Sequence, residues 1–197
     1  VSLGISFITK ANLGTSPISS IPYVLSLGMD LTLGEFTILF SILLIIFQIL
    51  LLGRNFKMVS LLQIPVSLLF GYFIDLTMIF LRWLAPSSYT MKIIALFIGC
   101  CILALGVYLE VVANVVMLPG ESFIKAICDR FHTDFGITKV CCDTSMALIA
   151  ILISVVLLNG VEGVREGTVI SAVIVGFIVK FYGKLLGRFK KIILPEK

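Results

Sequence analysis

Two uninterrupted apolar runs constrain this chain most. Phe36–Leu52 and Ile93–Leu109 each carry seventeen residues without a charge. As helices they come close to the thickness of a bilayer core, at about 1.5 Å per residue. Comparable stretches recur at Met58–Leu84, Ile137–Leu158 and Gly167–Leu186. One such helix could hide inside a soluble core, but five cannot fit in a single domain of 197 residues. The composition agrees: 59% of residues are hydrophobic and 13% charged, where soluble domains carry about 25% charge. These features predict an all-α integral membrane protein.

A polar break interrupts the pattern near the start. Val1–Ala11 reads as the end of a membrane helix, and the chain, which begins with Val1 and already apolar, is expected to lack part of it. Asn12–Ser16 is a turn. Pro17 then opens a new helix with Ser16 as N-cap, running to about Leu27. Eleven residues are too few to span, so this piece is expected to be re-entrant or interfacial. The remaining order is loop Met29–Glu35, helix Phe36–Leu52, basic loop Gly53–Lys57, and helix Met58–Leu84 kinked near Pro65. Ala85–Thr90 divides the chain into a first repeat at 1–84 and a second at 91–191.

The second half follows the same course. Met91–Val116 spans, Pro119–Phe131 is short, Ile137–Leu158 and Gly167–Leu186 span, and a basic tail closes the chain. Gly4, Ala11, Asn12, Pro17, Ser20 and Gly34 match Gly106, Ala113, Asn114, Pro119, Ser122 and Gly136, all 102 residues on. After the Asn159–Glu166 loop the offset becomes 105, where Gly71 matches Gly176 and Asp75 faces Lys180. Matches at Gly, Asn and Pro weigh more than apolar similarity, and they point to a duplication. Three spans per half make the second half insert upside down. The expected fold is six transmembrane helices in two inverted three-helix repeats, each with a short re-entrant or half helix. Arg54, Lys57, Arg130, Lys139, Arg188, Lys190, Lys191 and Lys197 fall on one face. Arg82, Lys92 and Arg165 share the other with Asp30, Glu35, Glu162 and Glu166. The positive-inside rule makes the first face cytoplasmic, with both termini inside.

The chemistry should sit at the two breaks. Each leaves unpaired N–H groups and partial positive charge at a helix start, which suits a carboxylate, sulfonate or phosphate. Asn12, Gly14, Thr15, Ser16, Ser19 and Ser20 at the first break, with Gln63, are candidate solute contacts. The second break is less polar and adds Asn114 and Glu121. The blander reading is that these groups merely satisfy the broken backbone. Charges at membrane depth are the candidates for coupling or gating: Glu110, Asp75 and Lys180, with Lys10 a candidate partner for Glu110. Asp75 and Lys180 are repeat-equivalent, so a pseudo-twofold axis could pair them. Asp143 is a further charge, near a helix start. Gln63, Ser67, Gly71 and Asp75 recur every four residues on one face, as do Thr168, Ala172, Gly176 and Lys180. Such small-residue stripes suit close helix packing, a solute path or a homodimer contact.

Other classes fit poorly. No nucleotide loop, HExxH or GxSxG is present, and His132 is the one histidine. Four of the five cysteines fall in apolar runs, without a CxxC, so neither a metal nor a cofactor is expected. A net charge of +4 gives no reason to expect nucleic acid.

Ala11-Asn12-Leu13-Gly14-Thr15-Ser16-Pro17, and Leu62-Gln63-Ile64-Pro65 with Gly71 and Asp75, resemble the YczE/YitT-type bacterial membrane proteins. The resemblance covers essentially the whole chain, with its specificity in the first motif. It implies a multi-pass protein of the bacterial plasma membrane, in a group commonly described as transporters. The expectation is a secondary transporter, not an enzyme, moving a small polar and anionic organic solute across that membrane. The alternative is a non-transporting regulatory or scaffold protein that binds a partner within the bilayer.

Overall fold

The computed structural model describes residues 1–53, 56, 58–113 and 116–193, with the backbone alone at 111, 135 and 186–193. Among the described residues there are eight α-helices and no strand. They are α1 (Ser2–Lys10), α2 (Pro17–Gly28), α3 (Leu33–Leu52), α4 (Gln63–Phe80), α5 (Tyr89–Ala113), α6 (Pro119–Phe131), α7 (Phe135–Leu158) and α8 (Glu166–Ile193). Short 3-10 segments flank α4 at Met58–Leu62 and Leu81–Trp83.

Five stretches are long and apolar enough to cross a membrane: Leu33–Leu52, Met58–Trp83, Tyr89–Glu110, Gly136–Leu158 and Glu166–Leu185. The sixth expected span is the first. There α1 has nine residues, about 14 Å of helix. Asn114 of the second break and the basic residues Arg54, Lys57 and Lys197 lie outside the described residues.

Helix starts follow local chemistry. Thr32 and Glu35 form a capping box on α3, the Thr32 hydroxyl accepting from the Glu35 N–H and the Glu35 carboxylate from the Thr32 N–H. Asp134 accepts from the Gly136 and Ile137 N–H groups at the start of α7. Pro17 and Pro119 sit at the first positions of α2 and α6, where a missing N–H breaks no helical bond. Pro65 was expected to kink a continuous helix from Met58. It instead lies in the first turn of α4, after the 3-10 segment, for the same reason.

α1 packs between α4 and α5, and α5 also carries α8. α2 packs on α3 and α7, while α3 packs on α4 and α6. Two apolar cores result. Ile5, Ile8, Ile74, Leu96 and Leu103 join α1, α4 and α5. Ile21, Val24, Leu44, Met146 and Ala150 join α2, α3 and α7. Large apolar side chains such as Leu50, Phe80, Val156 and Phe177 remain exposed on the outside, as a lipid-facing surface requires.

The two small-residue stripes behave differently. On α4, Gln63, Ser67 and Gly71 are buried. A Cβ on Gly71 would collide with Ile38 and the Gly34 carbonyl, so α3 and α4 approach at backbone contact. On α8 only Thr168 of the matching set is buried, while Ala172, Gly176 and Lys180 are exposed. Among the described residues nothing lies within 4 Å of a Cβ placed on Gly176. The reason is that α8 meets the core through Ile174, Val175 and Ile178, on another face.

Candidate functional site

The first break is a closed polar knot. Asn12 leaves α1 in the left-handed region, at φ 55°, a conformation Asn tolerates. Its side chain is exposed, and its carbonyl accepts from the Arg165 guanidinium at 3.5 Å. Gly14 has φ 108°, and a Cβ there would strike the Thr168 hydroxyl. The Leu13 carbonyl accepts from the Gly167 N–H at 2.7 Å. The Thr15 N–H donates to the Thr168 hydroxyl at 3.2 Å, and the Thr15 and Thr9 hydroxyls share a bond of 3.1 Å. Ser16 occupies the N-cap position of α2, yet its hydroxyl donates to that of Ser19 rather than serving a backbone N–H. The Ser20 hydroxyl donates to the Pro17 carbonyl. These groups find their partners within the chain, chiefly from the start of α8.

The second break is closed by a carboxylate. Glu110, near the end of α5, accepts from the Leu118 N–H just ahead of α6. An anion at a helix start is electrostatically favoured. Glu110 therefore already occupies a place where a solute anion was expected, and Lys10 makes no ion pair with it among the described residues.

The starts of α2 and α6 meet. A Cβ on Gly120 would run into Ile18. Ser16, Ser19, Leu118, Pro119, Gly120 and Glu121, with Thr37 and Ser41 of α3, border one small cavity of about 60 Å³. That is room for about two waters.

A larger cleft lies on the other side of the first turn of α6. It encloses about 480 Å³ between α3, α4 and α6, within the size of small-molecule sites of about 300–1,000 Å³. Its deep wall is a buried amide pair. The Gln48 amide donates to Gln63 at 3.3 Å and to the Pro119 carbonyl at 3.1 Å. The Gln63 amide donates back to Gln48 and to the Ser122 hydroxyl at 3.0 Å. Val116 and Met117 of the second break line it, and its exposed polar residues are Lys125, Asp129, Arg130 and His132.

The structure thus brings Ser16, Ser19 and Glu121 to the central cavity and Gln63 to the cleft. It sets the other charges apart. Asp75 accepts from the Thr32 hydroxyl at 2.7 Å and the Gly34 N–H at 2.8 Å. It caps α3 and does not meet Lys180, which is exposed on α8. Asp143 pairs with Lys139 at 3.3 Å, and its second oxygen is buried without a partner among the described residues. Sequence reasoning missed Gln48, Ser122 and Thr168 as site residues. The signal for Gln48 was present: it is the one strongly polar side chain in an otherwise apolar run.

The fold and composition define a multi-helix membrane protein built around two helix breaks. Within that class the chain belongs to DUF6198, a family of unknown function, which it matches over residues 1–184. It is also 26% identical over 107 residues to an uncharacterized protein of Haemophilus influenzae, a match covering 54% of this chain and 46% of that protein. The chain thus spans about half the length of that relative. No solved structure matches it.

Proposed function

We propose that the protein is a secondary transporter of a small polar, anionic organic solute across a bacterial plasma membrane. The carrying observation is the 480 Å³ cleft that ends on the Gln48–Gln63 pair beside the second break. Lys125 and Arg130 at the cleft outweigh Asp129 and favour an anion. The solute contacts are Gln63 with Gln48 and Ser122, backed by the polar groups of the first break. Glu110 couples or gates, because it holds the start of α6.

An inverted repeat underlies this reading, with α1 counted as the sixth spanning element and α2 and α6 as the re-entrant pair. Swapping the halves turns α2 on α7 into α6 on α3, and α1 on α4 into α5 on α8; all four pairs pack. Gly4 lies against Leu103, and Gly106, its equivalent, lies against Val1, the equivalent of Leu103. The orientation with both termini cytoplasmic and the likeness to YczE/YitT-type proteins belong to the same reading. The Haemophilus influenzae relative supports the bacterial part of this reading.

The test is flux into proteoliposomes for a panel of radiolabelled small carboxylates and sulfonates. At least one is expected to move, with Asn12→Leu, Gln63→Leu and Glu110→Gln each lowering the rate at least tenfold. Unchanged flux in all three variants rejects the site.

The second reading, a non-transporting regulatory or scaffold protein, is favoured by the small size of the central cavity and the internal closure of the first break. It predicts a copurifying membrane partner and no flux with any solute.

A further inference from the structure

The two halves are related by offset, yet they are packed differently. In the first half α4 lies on α3 at backbone contact through Gly34 and Gly71. Asp75 of α4 locks this by accepting from Thr32 and Gly34 at the start of α3. The equivalents of Gly34 and Gly71 are Gly136 and Gly176. Among the described residues both are open: a Cβ on Gly136 meets only Asp134 of its own cap, and one on Gly176 meets nothing. The equivalents of Thr32 and Asp75 are Asp134 and Lys180, which are opposite charges. Both are exposed and 134 is already the cap of α7. The second half therefore carries the parts of the same latch, with a hydrogen bond replaced by a charge pair, and the latch is undone.

The breaks show the reverse asymmetry. Gly167 and Thr168 at the start of α8 close the first break through Leu13 and Thr15. The equivalents of Thr168 and Thr15 are Gln63 and Met117. These two are not bonded to each other and instead line the open cleft. Each half thus adopts one of two arrangements. Either the last helix sits on its neighbour, with its first turn facing a cleft beside the opposite break, or it leaves its neighbour and bonds across that break.

We propose that α4 and α8 are alternating gates that exchange these arrangements. In the second state α8 docks on α7 through Gly136 and Gly176, with Lys180 paired to Asp134, and uncovers the first break. α4 leaves α3 and carries Gln63 onto Met117, closing the 480 Å³ cleft. A cleft then opens on the opposite face, lined by Thr15, Ser20 and Thr168. The inference rests on the inverted-repeat transporter reading and deepens it. Lys180 thereby becomes a gate residue whose partner is Asp134, not Asp75.

The test uses the full chain in proteoliposomes with its native cysteines replaced and single cysteines at Gln63 or Thr168. A membrane-impermeant maleimide is applied from one side at a time, without solute. Gln63→Cys is expected to label only from the cleft side and Thr168→Cys only from the other. Lys180→Glu, which repels Asp134, should slow labelling of Thr168→Cys about fivefold, the weight of a surface ion pair of ~1 kcal/mol. Lack of labelling at Thr168→Cys, labelling from the cleft side, or no effect of Lys180→Glu would overturn the proposal.

A second measurement guards against a poorly folded variant. Spin labels at Cys141 with Phe177→Cys, and at the equivalent Leu39→Cys with Tyr72→Cys, should each give two distances. The short fraction of one pair should equal the long fraction of the other, and a single distance in both pairs overturns the exchange. These readouts are independent of flux. Exchange without transport of any solute sinks the transporter reading and leaves the gates, while transport without exchange does the opposite.

Discussion

Asp75 looked like a functional charge because a carboxylate inside an apolar helix is expensive. Its surroundings give it a structural task, as acceptor for the Thr32 hydroxyl and the Gly34 N–H. Asp75→Ala should lower stability by about 2 kcal/mol, the weight of charge-assisted hydrogen bonds in a partly exposed site. Thermal unfolding in detergent micelles measures this, and Asp75→Asn, which keeps an acceptor, should lose less. Gln48 is the converse case. Gln48→Leu takes the donor from both the Gln63 side-chain oxygen and the Pro119 carbonyl, where a buried polar group left unpaired costs about 1–3 kcal/mol. Gln48→Leu should therefore lower the thermal unfolding temperature in detergent micelles, and solute flux should fall with it.

At the scale of elements, the short helices were legible and their partners were not. Ser16-Pro17 and Leu118-Pro119 mark helix starts by local rules alone, and α2 and α6 begin there. The period-four stripe of α4 was equally legible, since its Gly and Ser positions fit a close helix contact. The same pattern on α8 misleads, because packing also requires a neighbour, and α7 is not in contact at Gly176. A contrast follows. Gly71→Val must push α3 and α4 apart and should cost about 2 kcal/mol or more, as overpacking does. Gly176→Val meets open space and should leave stability within about 0.5 kcal/mol. Under the alternating-gate proposal it still slows labelling of Thr168→Cys, since the added methyls block α8 from α7. Equal destabilisation by the two variants would contradict the packing described for α8.

Across the whole molecule, the breaks are where sequence and tertiary structure divide the work. Residues 12–16 announced a polar, helix-free turn, and 17–20 the serine-bearing start of a short helix. They left open whether those groups face a solute or each other, and the structure pairs them largely with Thr168, Gly167 and Arg165 from 150 residues away. Glu110 is similar: its depth in an apolar run was evident, while its bond to the Leu118 N–H depends on how the chain turns beyond α5. The cleft was not legible at all. It is made by α3, α4 and α6 together, and its charged members Lys125 and Arg130 read in sequence as ordinary residues of a short amphipathic helix.

What the amino-acid sequence determined by itself was the helical membrane class, the positions of the breaks and the helix starts. Each follows from hydrophobic length, Gly and Pro backbone limits and local capping, which act within a few residues of chain. Only the tertiary structure decided which polar groups are spent on one another, which break lies beside a cleft, and which of two matching stripes is packed. Those outcomes depend on contacts between segments far apart in sequence. In this structure α4 meets α3 at Gly71, while α8 leaves Gly176 uncovered by any described residue and bonds to the first break through Thr168.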